Sequence, residues 1–180
     1  YQDQSLKVVR IRLPWLLFNM VGGVLAGLLL ASFQTSMAEA LFLLIFHPLV
    51  LGMSGNVGSQ TATITVRGLA SGRLARGRVR RYLWQQARVG LLLGTFFATF
   101  GLAAAYLLEG NPMFSMVVGV ALFVAICLAS VNGVLIPVLF DRLGIDPAIV
   151  SVPLVTTGND VIGTLIYFGL ASTLYGFLMP

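Results

Sequence analysis

The stretch VPLVTTGNDVIGTLIYFGLA, Val152 to Ala171, is almost uniformly apolar yet carries a carboxylate, Asp160, directly after Gly158 and Asn159. Its length matches the roughly 20 residues that a helix needs to cross about 30 Å of hydrocarbon. A carboxylate at that depth is tolerated only where it faces protein or water. The segment therefore reads as a membrane helix with one functional face. The rest of the chain has the same character: of 180 residues, 58% are hydrophobic and 9% charged, far from the balance of soluble domains. The apolar runs are too long and too weakly alternating for barrel strands, so the expected fold is an all-α membrane protein forming one compact bundle.

Five transmembrane spans are expected, at about Leu13 to Phe33, Ala38 to Arg67, Arg88 to Leu108, Met113 to Phe140 and Pro153 to Leu178. Between the second and third lies RGLASGRLARGRVRRYLWQQAR, with Arg67, Arg73, Arg76, Arg78, Arg80, Arg81 and Arg88. The positive-inside bias makes this loop cytoplasmic, and Lys7, Arg10 and Arg12 put the N-terminus on the same side, as two intervening spans require. The loop at Glu109 to Pro112 and the C-terminus then lie outside. The net charge of +5 is read as orientation and contact with anionic lipids rather than as a nucleic-acid site. Cys127, the single cysteine, sits in an apolar run and offers neither an intrachain disulfide nor a metal cluster.

Polar residues within the spans concentrate in two places. In the second span Asn56, Gln60, Thr63 and Arg67 follow one helical face, with Ser59 beside them; in the fifth, Thr157, Asp160, Thr164 and Tyr167 do the same, with Gly163 adjacent. The two segments also resemble each other, HPLV followed by GN and GLA against VPLV followed by GN and GLA, and they run in opposite directions. Paired Pro- and Gly-interrupted segments so placed suggest an inverted repeat whose broken helices free backbone carbonyls near mid-membrane. Carboxylate and carbonyl oxygens suit a hard cation, and magnesium is commonly held by one or two carboxylates with several waters retained. A homodimer would bring two copies of Asp160 to a shared axis.

Gly23 and Gly27, Gly90 and Gly94, and the stripe Ala121, Ala125 and Ala129 offer surfaces either for that dimer or for packing within the subunit. Blander readings stand beside the functional ones. Asp160 can cap a half-helix begun after Gly158 or pair with Arg67; His47 reads as a hydrogen-bonded core histidine; Glu39 complements the dipole of the second span or draws cations to the mouth. Asn56 and Gln60 serve as interhelical glue or as pore lining.

The segments PLVLGMSGNVGSQTATITVRGLA and LFDRLGIDPAIVSVPLVTTGNDVIGTLIYFGLA resemble the transmembrane domain of the MgtE magnesium channels, and the likeness covers essentially the whole chain. The resemblance implies a homodimer with five transmembrane helices per subunit and a central pore, in the plasma membrane of a bacterium or archaeon. There Asp160 from both chains meets hydrated magnesium, aided by the backbone carbonyl one turn earlier, here that of Thr156. Asn56, Ser59, Gln60 and Thr63, with Thr157, Asn159, Gly163 and Thr164, are the pore or selectivity candidates. Ser59 stands where members commonly have asparagine, Asn159 where serine is frequent, and Val152 where some have asparagine, so weaker exclusion of calcium or manganese is expected. Typical members also carry an N-terminal helical domain and paired CBS domains that sense cytoplasmic magnesium; neither is represented here, so the expectation is a membrane domain without that regulatory part. A secondary transporter exchanging divalent cations against protons or sodium is the rival. An enzyme fits poorly, for want of a nucleophile and base pair or a phosphate loop.

Overall fold

Short turns with strong caps set the helix ends. At the outer expected turn, Gly110 takes φ +69° and its N–H donates to Tyr106 O at 2.8 Å, while the Asn111 side chain accepts from Met113 N at 2.9 Å ahead of Pro112. In RLGIDPA, Gly144 takes φ +72°, Ile145 N reaches back to Phe140 O, and Asp146 Oδ1 accepts from Ala148 N as Pro147 opens the next helix. Glycine supplies the left-handed residue, aspartate the missing acceptor, and proline a first-turn residue with no N–H to satisfy.

These turns connect five helices in a computed structural model that describes residues 2–34, 41–74 and 76–178. They are α1 (Gln2–Gln34), α2 (Leu41–Ala70), α3 (Val79–Glu109), α4 (Pro112–Arg142) and α5 (Pro147–Leu178), with a 3₁₀ turn at Arg76–Arg78 before α3. Several begin earlier than the apolar runs predict: α1 at Gln2, α3 at Val79 and α5 at Pro147. Polar and basic residues propagate a helix well once an apolar segment has nucleated it. The expected start of the second span, with Glu39, lies outside the described residues.

Residue pairings give the directions. Leu43 meets Tyr167, His47 meets Thr164, and Gly58 approaches Val155, so α2 and α5 are antiparallel. Asn19 and Gly22 meet Thr157 and Phe33 stacks on Phe168, so α1 and α5 are parallel. Gly90 against Ser130 and Gly101 against Leu122 make α3 and α4 antiparallel. α4 is the hub, packed by α2, α3 and α5, whereas α1 runs along α5 and reaches α4 through the Trp15–Phe140 edge contact at 6.4 Å. Alternating directions place the N-terminal end of α1, the arginine-rich α2–α3 connection and the α4–α5 turn on one side, as the charge pattern predicts.

One expectation is corrected. Neither α2 nor α5 is broken, although Pro48 and Pro153 lie inside them. A proline removes one ladder bond and crowds the preceding turn, yet both helices continue through theirs, packed by their neighbours. Tyr167 Oη donates to Leu43 O at 2.8 Å, and Thr156 Oγ1 lies 3.1 Å from Val152 O and 2.9 Å from Pro153 O. Among the described residues α1, α3, α4 and α5 are long and apolar enough to cross a membrane by composition alone. α2, with 30 residues, lies along α4 and α5.

Small residues let the helices approach. A Cβ on Gly133 would lie 2.6 Å from Thr61 Cβ, 2.7 Å from Gly58 O and 3.0 Å from Ala62 N, two of them backbone atoms that cannot swing away. Gly133→Ala is therefore expected to lower stability by about 1–3 kcal/mol, read as a thermal midpoint several degrees lower in detergent. Gly169→Ala, where an added Cβ meets nothing within 4 Å, should leave the midpoint unchanged or raise it.

Candidate functional site

The site starts from how α5 is surrounded. α1, α2 and α4 all pack on it, while among the described residues α1 and α2 do not pack on each other. Around α5, one arc lies between the α1-facing Thr157 and the α2-facing Gly163. Asp160 and Thr156, four residues apart and so on one face, are both half-buried there. Among the described residues the Asp160 carboxylate takes no hydrogen-bond donor and no counter-charge; its backbone oxygen accepts from Thr164 Oγ1 at 2.7 Å. Because α5 is continuous, no helix break frees the Thr156 carbonyl, and Asp160 caps no half-helix.

The predicted polar face of the last span divides between α1 and α2, and Asn159 turns to α4 and α2. Thr157 is buried against α1 and donates to Asn19 Oδ1 at 2.5 Å. Thr164 and Tyr167 are buried against α2, beside His47 and Leu43 O. Asn159, only 3% exposed, turns inward, accepting from Asn132 Nδ2 of α4 at 3.3 Å and donating to Ser54 O of α2 at 3.4 Å. Gly163 is buried where α2 comes close, with Leu51 Cδ2 2.8 Å from where its Cβ would be. Sequence periodicity put Thr157, Asp160, Thr164 and Tyr167 on one side, with Gly163 adjacent, but a helix packed by three others uses much of its circumference for packing.

α2 behaves differently. Asn56, Gln60, Thr63 and Arg67 are exposed along one stripe, as their spacing predicts, and half-buried Ser59 flanks them, its carbonyl accepting from Thr63 Oγ1 at 2.8 Å. The opposite face carries buried Ser54, Thr61 and Thr65 against α4 and α5. Asn56 and Gln60 are thus not glue within the subunit. The inverted likeness of α2 and α5 does not extend to their surroundings: Asn56 is exposed and its counterpart Asn159 enclosed. Arg67 lies 13 residues beyond Ser54, roughly 20 Å along the helix, too far to pair with Asp160.

The small-residue patterns also separate. Gly90 and Gly94 pack within the subunit against Ser130, Cys127 and Phe123, and Ala121, Ala125 and Ala129 are buried. Added Cβ atoms at Gly23 and Gly27 meet nothing within 4 Å, so that pair faces outward on α1. Sequence reasoning placed the intramembrane polar groups on two spans and missed Asn19 on α1 and Asn132 on α4. The signal was present, since a lone amide in an apolar span must be partnered.

Comparison with known proteins bears on this arrangement. Residues 47–170 match the family model MgtE, described as a divalent cation transporter. The chain is 32% identical over 161 residues to the "Magnesium transporter MgtE" of Bacillus subtilis, covering 89% of this chain and 36% of that protein. It is 37% identical over 163 residues to the protein of the same name from Thermus thermophilus, covering 91% and 36%. For that of Enterococcus faecalis the identity is 33% over 170 residues, covering 94% and 38%. The chain thus spans little more than a third of the length of these curated relatives.

The exposed stripe generates a test. With Cys127 replaced by serine, cysteines at Asn56, Gln60 and Thr63 should react several-fold faster with a charged, membrane-impermeant thiol reagent than cysteines at exposed but lipid-type Ile45 or buried Thr65. Equal rates at Gln60 and Ile45 would show that the stripe does not face water.

Proposed function

The chain belongs to the MgtE family of divalent cation transporters, and from that premise we propose that it forms the pore of a magnesium channel. Two five-helix subunits pair so that the Asp160 carboxylates face hydrated magnesium on a central path. The observation that carries this reading is the half-buried carboxylate of Asp160, which meets no donor and no counter-charge among the described residues. Such a charge is costly in hydrocarbon and is stabilised by a cation that keeps its waters. The exposed amides of Asn56 and Gln60 belong on the same aqueous path, since lipid would leave their donors and acceptors unmet. Nothing in this function makes or breaks a covalent bond.

In this arrangement α2 is the fifth span, and lipids cover α1 and α3. The arginine-rich side is cytoplasmic, putting the N-terminal end of α1 inside and the C-terminal end of α5 outside a prokaryotic plasma membrane. Thr156 contributes by its position beside Asp160. Continuous helices and unequal environments for Asn56 and Asn159 favour a channel over an inverted-repeat exchanger.

Asp160→Asn, which removes the charge at nearly constant volume, should reduce magnesium flux into liposomes by about tenfold or more with the dimer intact. Wild-type flux in that variant would overturn the assignment, and wild-type flux that requires an opposing proton or sodium gradient would make the protein an exchanger. Selectivity gives a second test. Ser59→Asn adds an amide beside the exposed stripe and should shift competitive flux toward magnesium over calcium or manganese; an unchanged ratio would remove Ser59 from the ion path.

A further inference from the structure

α3 packs along α4 and barely touches α2. Where the end of α2 and the start of α3 lie side by side, they leave a cavity of about 510 Å³. The turn shapes it: Gly72, at φ +67°, reverses the chain so that Leu74 N reaches back to Gly68 O at 3.0 Å. Arg67 and Ser71, one helical turn apart, and Arg73 then line the cavity together with Tyr82 of α3, while Ile64 and Leu74 give it an apolar edge. No carboxylate lines it. Arg78, Arg80 and Arg81 crowd the start of α3, whose first turn holds no acidic residue, so the positive end of that helix dipole goes unanswered. Tyr82 gives an independent sign. Its hydroxyl is shielded from water and meets no partner among the described residues, a rare and costly state for a buried donor.

We infer that this cavity binds a phosphate group of net negative charge: the guanidinium groups of Arg67 and Arg73 pair with its oxygens, and one of those oxygens accepts from Tyr82 Oη. A guanidinium fork matches two phosphate oxygens at once, and both arginines are exposed and free to turn onto a ligand. Two sources present this chemistry, an anionic lipid headgroup and phosphate in solution. The level of the site favours the lipid. Tyr82 and the 65% exposed Trp84 belong to the aromatic residues that gather at the headgroup layer, and basic pockets between helices on the cytoplasmic side hold anionic headgroups. Ile64 and Leu74 leave an apolar edge for the glycerol and first acyl carbons. Nothing in this site depends on Asp160 or on conduction.

Binding is read as the rise in thermal midpoint of the purified protein in mild detergent, at physiological salt, as phosphatidylglycerol is added. The midpoint should rise by several degrees, with half the rise reached at a several-fold lower concentration than zwitterionic phosphatidylcholine needs. Arg67→Gln and Arg73→Gln should each raise that concentration about tenfold. Arg80→Gln and Arg81→Gln make the same charge change outside the cavity and should leave it within about twofold. Tyr82→Phe should raise it several-fold yet leave the lipid-free midpoint unchanged or higher, because it deletes a hydroxyl that meets nothing in the free protein. Inorganic phosphate is the second arm. A rise with phosphatidylglycerol alone assigns a lipid headgroup, and a rise with inorganic phosphate that is lost in the same variants assigns phosphate from solution. No selective rise with either would overturn the proposal. So would equal losses in Arg73→Gln and Arg81→Gln, which would reduce the effect to diffuse attraction by basic residues, or wild-type binding in Tyr82→Phe.

Discussion

The side-chain amide of Asn159 ties α5 to two helices at once, through Asn132 on α4 and the carbonyl of Ser54 on α2. Gly58 leaves the room it needs, since a Cβ there would run into the Asn159 amide. Interhelical bonds of this kind contribute on the order of 1 kcal/mol each in a membrane, so their greater effect is on orientation. With Asn159 held inward, the next residue points about 100° further round the helix, and Asp160 is turned to the edge of the bundle. A packing bond thus aims the carboxylate.

The same reasoning explains why α1 matters despite its few neighbours. Asn19 and Gly22 seat it against Thr157, and Phe33 stacks on Phe168, so it covers the flank of α5 opposite α2. Hydrocarbon cannot drive apolar helices together, so close approach and partnered polar groups must do so. Each contact that α1 makes with α5 also narrows the arc on which Asp160 is left.

α2 carries the heavier burden of polarity. Hydroxyls on its inner face satisfy themselves locally, Ser54 with Leu51 O and Thr65 with Thr61 O, and hence can be buried. Amides cannot close such short loops onto their own turn as readily, and Asn56 and Gln60 are found on the outer face. Exposed Thr63 closes the same kind of loop onto Ser59 O, so the amides, not the hydroxyls, set the outer face of α2 apart.

Composition and the length of the apolar runs determined, without coordinates, that the chain is a helical membrane protein. Charge placement gave the relative sides of its loops, and helical period put Asn56, Gln60, Thr63 and Arg67 on one face, because each of these depends on local repetition or on a bulk property of the solvent. Joint motifs in α2 and α5 pointed to the family for the same reason, as residue order is all that a motif contains. The continuity of α2 and α5 through their prolines, the dispersal of Thr157, Asn159 and Thr164 to three neighbours, and the use of Gly90 and Gly94 within the subunit depended on which helix lies against which. So did Asn19 and Asn132, lone amides whose partners are 138 and 27 residues away along the chain. Periodicity says which residues share a face, but only packing decides whether that face meets protein, lipid or water.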